Sequence, residues 1–157
     1  MEIVNIRVDS RLIHGQVAVM WTGTLKATRI MVIDNDVIQD TLMKSILKMA
    51  CPKVCKLSIL DVETATKNIK SEKYGEDRIF IIVKTIDTLV RLLEQGFPLK
   101  EVTIGNLNGS VRSRTLVKTV CVTPEDEEQL HMLVEKGVSL SVQMVPSDPR
   151  EDIVKYL

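Results

Sequence analysis

The sequence predicts one α/β domain over residues 1–157: three layers, with a mostly parallel central sheet of about six or seven strands and helices on both faces. Three observations carry this. Apolar runs such as RIMVID (Arg29 to Asp34) and RIFIIV (Arg78 to Val83) are nearly continuous, as in strands buried on both faces. Amphipathic stretches of roughly ten residues separate such runs, which makes repeated βαβ units. The 157 residues match one domain and contain no linker, repeat or low-complexity tract.

The first strand is Ile3 to Val8. A loop, SRLIHG, leads to a helix in which Val17, Met20 and Trp21 share a face, with Gly23 as its stop. After RIMVID, Asp36 is placed as the cap of a helix with apolar positions Ile38, Leu42, Ile46 and Met49, ended by Pro52. Val54 to Leu60 is a strand, and Asp61 caps the next helix, which carries Val62, Ala65 and Ile69. Tyr74-Gly75 is a turn before RIFIIV. Thr85 opens a helix closed by Gly96. Glu101 to Gly105 is a short strand, Asn106 to Leu116 an exposed loop, and Val117 to Val122 a strand. Thr123-Pro124-Glu125-Asp126 starts a helix, with Pro at its first position and acids in its first turn, and Gly137 stops it. The alternating run Val138 to Val145 is expected as an antiparallel edge strand, and a short helix is expected from Ser147.

Composition narrows the function. Lys plus Arg and Asp plus Glu are 21 each. A general grip on nucleic acid or anionic lipid needs a basic excess somewhere. One Trp, two Tyr and two Phe are too few for a base-stacking platform. No secretory or membrane-spanning segment stands out, so the chain is expected in the cytoplasm. Cys51, Cys55 and Cys121 lack metal-ligand spacing and are read as structural thiols.

In open parallel sheets ligands bind at the carboxyl ends of strands, where strand order reverses. The first such turn holds Asp9, Ser10, Arg11, His14, Gly15 and Gln16. This set suits a phosphoryl group. Backbone N–H groups at a helix start favour an anion, Arg11 can fork two hydrogen bonds to phosphate oxygens, and Gly15 lets the backbone approach. His14 is the turn's candidate nucleophile, because an ordinary imidazole titrates near 6.5 and needs no separate base to attack phosphorus. Ser10 would need one. Neither GxGxxG nor GxxxxGK[ST] is present. Two readings remain: a phosphocarrier whose His14 faces solvent, and a binding module that encloses a phosphorylated metabolite in a pocket. The exposure of the His14 ring separates them.

The run RVDSRLIHGQV (Arg7 to Val17) resembles the active-site segment of the IIB component of the mannose/fructose/sorbose family of the bacterial sugar phosphotransferase system. Further matches are IDNDV (Ile33 to Val37), the VKT turn (Val83 to Thr85), GFPLKEVTIGN (Gly96 to Asn106) and VQMVPSDP (Val142 to Pro149). The resemblance implies a phosphotransferase in which His14 takes a phosphoryl group from a phosphohistidine on a IIA protein, through Nδ1. His14 would then pass it to the sugar held by the membrane IIC and IID subunits. Arg11 falls on the family's phosphate-stabilising arginine, with Gly15 and Gln16 beside it. It implies a cytoplasmic protein peripherally associated with the membrane transporter. Arg11 and the turn amides can position and stabilise the transferred group, so no metal or organic cofactor is expected, and composition argues against a nucleic-acid partner. The resemblance leaves the sugar and the oligomeric state open. Ser10 stands where the family often has an acid, and Gly105-Asn106 where it has Gly-Gly.

Asp9, Ser10, Asp34, Lys84 and Thr85 are placed as supporting or cleft-lining residues. A Mg²⁺ site at Asp34, Asn35 and Asp36 is the weaker reading of that cluster, against helix capping and a polar wall. His131, mid-helix, is read as a surface histidine. Arg112 and Arg114 are read as a solvated loop, with partner docking as the alternative.

Overall fold

The computed structural model describes all residues, Met1–Leu157. A seven-stranded sheet has the order β3-β2-β4-β1-β5-β8-β9. Its strands are β1 (Glu2–Asp9), β2 (Arg29–Ile33), β3 (Lys56–Leu60), β4 (Arg78–Val83), β5 (Glu101–Asn106), β8 (Ser139–Val142) and β9 (Glu151–Asp152). All pairs are parallel except β8–β9. A separate antiparallel hairpin, β6 (Arg114–Val117) and β7 (Val120–Val122), stands beside β5. The helices are α1 (Gly15–Leu25), α2 (Thr41–Ala50), α3 (Val62–Lys70), α4 (Ile86–Glu94) and α5 (Pro124–Glu135), with 3₁₀ turns at Val37–Gln39 and Ile153–Tyr156.

Two cores, one on each face, follow from strand alternation. On β4, Ile79, Ile81 and Val83 face the α3–α4–α5 layer, while Phe80 and Ile82 face α1 and α2. Each such side chain, fully buried, contributes roughly 1.5–3 kcal/mol. The caps at Asp61, Thr85 and Thr123 form as expected. Each accepts a backbone N–H three residues on, and Thr123 with Asp126 completes a capping box.

Several expectations are corrected. Helix α1 passes Gly23 and ends at Lys26, which adopts a left-handed φ of 52°. In α1 Trp21 is buried, but Met20 is exposed. Asp36 caps nothing. Asp34 accepts the Asp36 and Val37 N–H groups, a 3₁₀ turn follows, and Asp40 caps α2 through the Met43 N–H. On α2, Leu47 is buried, while Leu42, Ile46 and Met49 point to solvent.

The run Val117 to Val122 is split by a turn at Lys118-Thr119, and Arg114 to Leu116 belong to its hairpin rather than to an open loop. Strand β8 is parallel to β5, and the antiparallel edge is β9. Ser141, expected on a wet face, is buried, and its Oγ accepts from Arg150 Nε at 3.0 Å. No helix starts at Ser147; the short helical turn comes at Ile153. The three cysteines are free and half-buried.

Candidate functional site at the β1–α1 turn

Strand β1 ends where the chain reverses across the sheet. The crossover from β1 leads over one face to β2, and that from β4 leads over the other face to β5. The β1–α1 turn therefore opens at the switch point, the expected crevice. It is held on both sides. Ser10 N–H donates to Asn106 O at 3.0 Å, and Asn108 N–H donates to Ser10 Oγ at 3.0 Å, tying it to the loop after β5. Leu12 and Ile13 are buried in the α1–α2 core. Leu12 takes a φ of 60°, a left-handed conformation that costs a side-chain-bearing residue about 1–2 kcal/mol and persists because this burial over-determines it.

His14 occupies the N-cap position of α1 in extended conformation and is exposed. Its ring makes no hydrogen bond within the protein and caps no N–H group. Gly15 follows at φ 42°, where an added Cβ would meet open space, so the backbone conformation alone calls for glycine. No side chain caps α1 and no acid lies in its first turn, whereas α2, α3, α4 and α5 are all capped by side chains. The first N–H groups of α1 thus face outward beside His14, Gly15 and Gln16, all exposed.

Behind the turn runs a buried charge network. Asp9 is almost wholly buried and accepts from the Arg11 N–H at 2.9 Å, Arg11 Nε at 3.1 Å and Arg11 Nη2 at 3.2 Å. Three of the five guanidinium N–H bonds of Arg11 stay free for another acceptor. On the inner side, Arg7 Nη2 lies 3.4 Å from Asp9 Oδ2. Arg7 is 2% exposed, donates to Gln143 O at 2.9 Å and lies over the Trp21 ring at 5.3 Å. Burial lowers the Arg7 pKa from its ordinary value, and the Asp9 carboxylate opposes that by charge and hydrogen bonding. Two arginines and one carboxylate leave the cluster net cationic.

Gly105 completes it, because a Cβ there would overlap Cζ, Nη1 and Nη2 of Arg7. Trp21 Nε1 donates to Met144 O at 3.0 Å, so the segment after β8 closes over Arg7 and Trp21 together. Sequence reasoning missed Arg7, Trp21, Gly105 and Gln143. One signal was available: Arg7 and Asp9 are two apart in a strand, so they share a face.

The supporting residues divide. Asp9 and Ser10 belong to the turn. Asp34, Lys84 and Thr85 line a neighbouring polar cavity of about 510 Å³ that His14 and Arg11 do not line. Asp34 is buried and spends its carboxylate on backbone N–H groups, and Thr85 caps α4. No cluster of three or more His, Cys, Asp or Glu is arranged to hold a metal ion. The largest cavity, about 910 Å³, opens around the starts of β1 and β5, at the opposite edge of the sheet. Arg112 and Arg114 are held by Glu125 and Glu127 of α5. His131 is exposed on α5.

The fold and the turn define the chain as an α/β domain with an open, anion-favouring site at the switch point of a parallel sheet, where an exposed histidine at an uncapped helix start is backed by an arginine–carboxylate–arginine network. The chain belongs to the family described as "PTS system sorbose subfamily IIB component", whose model matches residues 3–157. It is similar to the PTS system fructose-specific EIIB component of Bacillus subtilis, 33% identical over 157 residues, covering 100% of this chain and 96% of that one. It is also similar to the sorbose-specific EIIB component of Lacticaseibacillus casei, 32% identical over 98% of this chain and 94% of that one. The crystal structure of the IIBSor domain of the sorbose permease from Klebsiella pneumoniae superposes with a TM-score of 0.93 at 28% identity, covering 99% of this chain and 96% of that one. No helix is long and apolar enough to cross a membrane.

Proposed function

We propose that residues 1–157 act as one IIB domain in which His14 carries the phosphoryl group between a IIA protein and a sugar held by membrane IIC and IID subunits. In the first step an N–P bond forms at His14 as the N–P bond of the donor phosphohistidine breaks, and the donor imidazole recovers its lone pair. In the second, a sugar hydroxyl attacks phosphorus, the His14 N–P bond breaks, and the hydroxyl proton leaves with the returning imidazole. Neither step needs a metal or organic cofactor as written. Transfer through a loose transition state asks mainly for positioning and charge stabilisation. The free Arg11 N–H bonds, the α1 N–H groups and the net positive charge behind Asp9 would supply both.

The observation that carries this reading is the exposure of His14 together with the absence of any side-chain cap on α1. A residue that must meet two proteins in succession has to face solvent. Relatives named for fructose, sorbose and N-acetylgalactosamine support sugar transfer and leave the sugar of this chain open. The test is phosphoryl transfer from a phosphohistidine-loaded IIA protein of this family to the intact chain. Wild type should become labelled and lose the label to sugar when IIC/IID membranes are added. An unlabelled chain, or a label that membranes and sugar cannot discharge, would count against the assignment.

A further inference from the structure

We propose that the α1–α2 face of the domain docks on an anionic lipid surface. The inference goes beyond the phosphocarrier reading and does not depend on it.

A net charge of zero conceals a dipole across the sheet. Residues 12–60, which hold α1, α2, β2 and β3, contain six cations and three acids, and the acids, Asp34, Asp36 and Asp40, all lie in the connection from β2 to the start of α2, with Asp34 buried. Arg29 and Lys56 are paired with Asp77. Lys26, Lys44, Lys48 and Lys53 have no carboxylate partner in the fold. On the other face α3, α4 and α5 together carry eight acids against three cations. A negatively charged plane therefore attracts one face of this protein and repels the other, which fixes orientation as well as affinity.

The apolar side chains follow the same division. Eight large ones are exposed, and six of them lie on α1, on α2 or in the loop after α2. Leu42, Ile46 and Met49 recur at i, i+4 and i+7, a stripe of α2 separate from its core-facing residues Met43, Leu47 and Ala50. Met49 is 87% exposed, Val54 81% and Leu42 72%.

The chemistry favours lipid over protein. Protein interfaces are enriched in aromatic residues, Met and Arg and depleted in Lys, whereas this face offers four unpaired lysines, no unpaired arginine and no exposed aromatic ring. Lysines beside an apolar stripe are what a helix presents to an anionic membrane surface. A second copy pairing through the same patch would set lysines against lysines. His14 sits at the rim, at the start of α1, so a domain lying on this face keeps its turn open at the edge.

The test is co-sedimentation of the full chain with vesicles of phosphatidylcholine alone or with phosphatidylglycerol, at low and high salt, with no transporter protein present. Binding should require phosphatidylglycerol and weaken with salt. Lys44→Gln/Lys48→Gln should lower the partition coefficient about thirtyfold. Leu42→Ser/Met49→Ser should lower it as well, and both double variants should keep the wild-type melting temperature because all four side chains are peripheral. Glu128→Gln/Glu135→Gln, on the far face, changes net charge by the same amount as the lysine pair and should leave binding nearly unchanged. Equal binding to neutral vesicles, no binding to either, or a rise in the α5 variant as large as the fall in the α2 variant would overturn the proposal. So would a salt-sensitive self-association abolished by Leu42→Ser/Met49→Ser. None of these outcomes bears on whether His14 accepts a phosphoryl group.

Discussion

Gly105→Ala should unseat Arg7, and its cost can be worked from the packing. The added methyl would occupy the space of the Arg7 guanidinium, and Gly105 has no left-handed φ that would add a backbone effect. Arg7 must then give up its ion pair with Asp9, its hydrogen bond to Gln143 O and its place over Trp21. Both partners of that pair are almost wholly buried, and breaking such a pair costs about 3–5 kcal/mol. For a domain of this size that lowers the melting temperature by roughly 6–20 °C. The assay is urea unfolding followed by circular dichroism, run as a cycle with Arg7→Met. In the Arg7→Met background the methyl has no guanidinium to displace, so the same substitution should become nearly neutral. The pair should couple by at least about 2 kcal/mol. A cost below about 1 kcal/mol in wild type, or the same cost in both backgrounds, would refute the packing argument.

Other substitutions test the rest of the turn. Arg11→Ala should slow phosphoryl transfer strongly with only modest loss of stability, because Asp9 keeps Arg7 as a partner; Arg11→Lys should rescue in part, lacking the guanidinium fork. Full transfer by Arg11→Ala would remove that residue from the mechanism. Gly15→Val should hinder transfer through backbone strain at φ 42°, measurable as a slower rate in a folded protein, and wild-type rates would show that the conformation is dispensable. The Asp61 carboxylate is held below its ordinary pKa by hydrogen bonding from the Thr64 backbone N–H and side chain. A folded pKa below the unfolded value gives stability that is present above about pH 4 and lost as pH falls through the folded value. Asp61→Asn should therefore flatten the urea midpoint between about pH 4 and pH 2, and an unchanged slope would argue against that contribution.

The sheet was legible because β2 and β4 are apolar without interruption, and the caps at Asp61, Thr85 and Thr123 because each lies three residues before its N–H donor. Helix α2 misled because it is apolar on two flanks; periodicity at Ile38, Leu42, Ile46 and Met49 cannot say which flank meets the core. The β6–β7 turn uses Lys118-Thr119, with no glycine or proline to mark it. Strand β9 has two residues, too few to carry a pattern, so its antiparallel edge was assigned to β8 instead. At the site, His14, Arg11 and Asp9 were readable as neighbours within one turn. The role of Gly105 was not, since it depends on contact with Arg7, 98 positions away in the chain. Net charge likewise hid the lysine-bearing face, which appears only when α1 and α2 fold onto one side of the sheet.

Everything proposed for the β1–α1 turn depends on His14 being the covalent phosphoryl carrier. The most direct measurement is mass mapping of the intact chain after phosphorylation by a phosphohistidine-loaded IIA protein, with and without a metal chelator and with His14→Ala and His131→Ala in parallel. One acid-labile phosphoryl group is expected on the peptide containing His14, unchanged by chelator, absent in His14→Ala and retained in His131→Ala. Phosphate on His131 or on Asp34, or labelling that chelation abolishes, would contradict it.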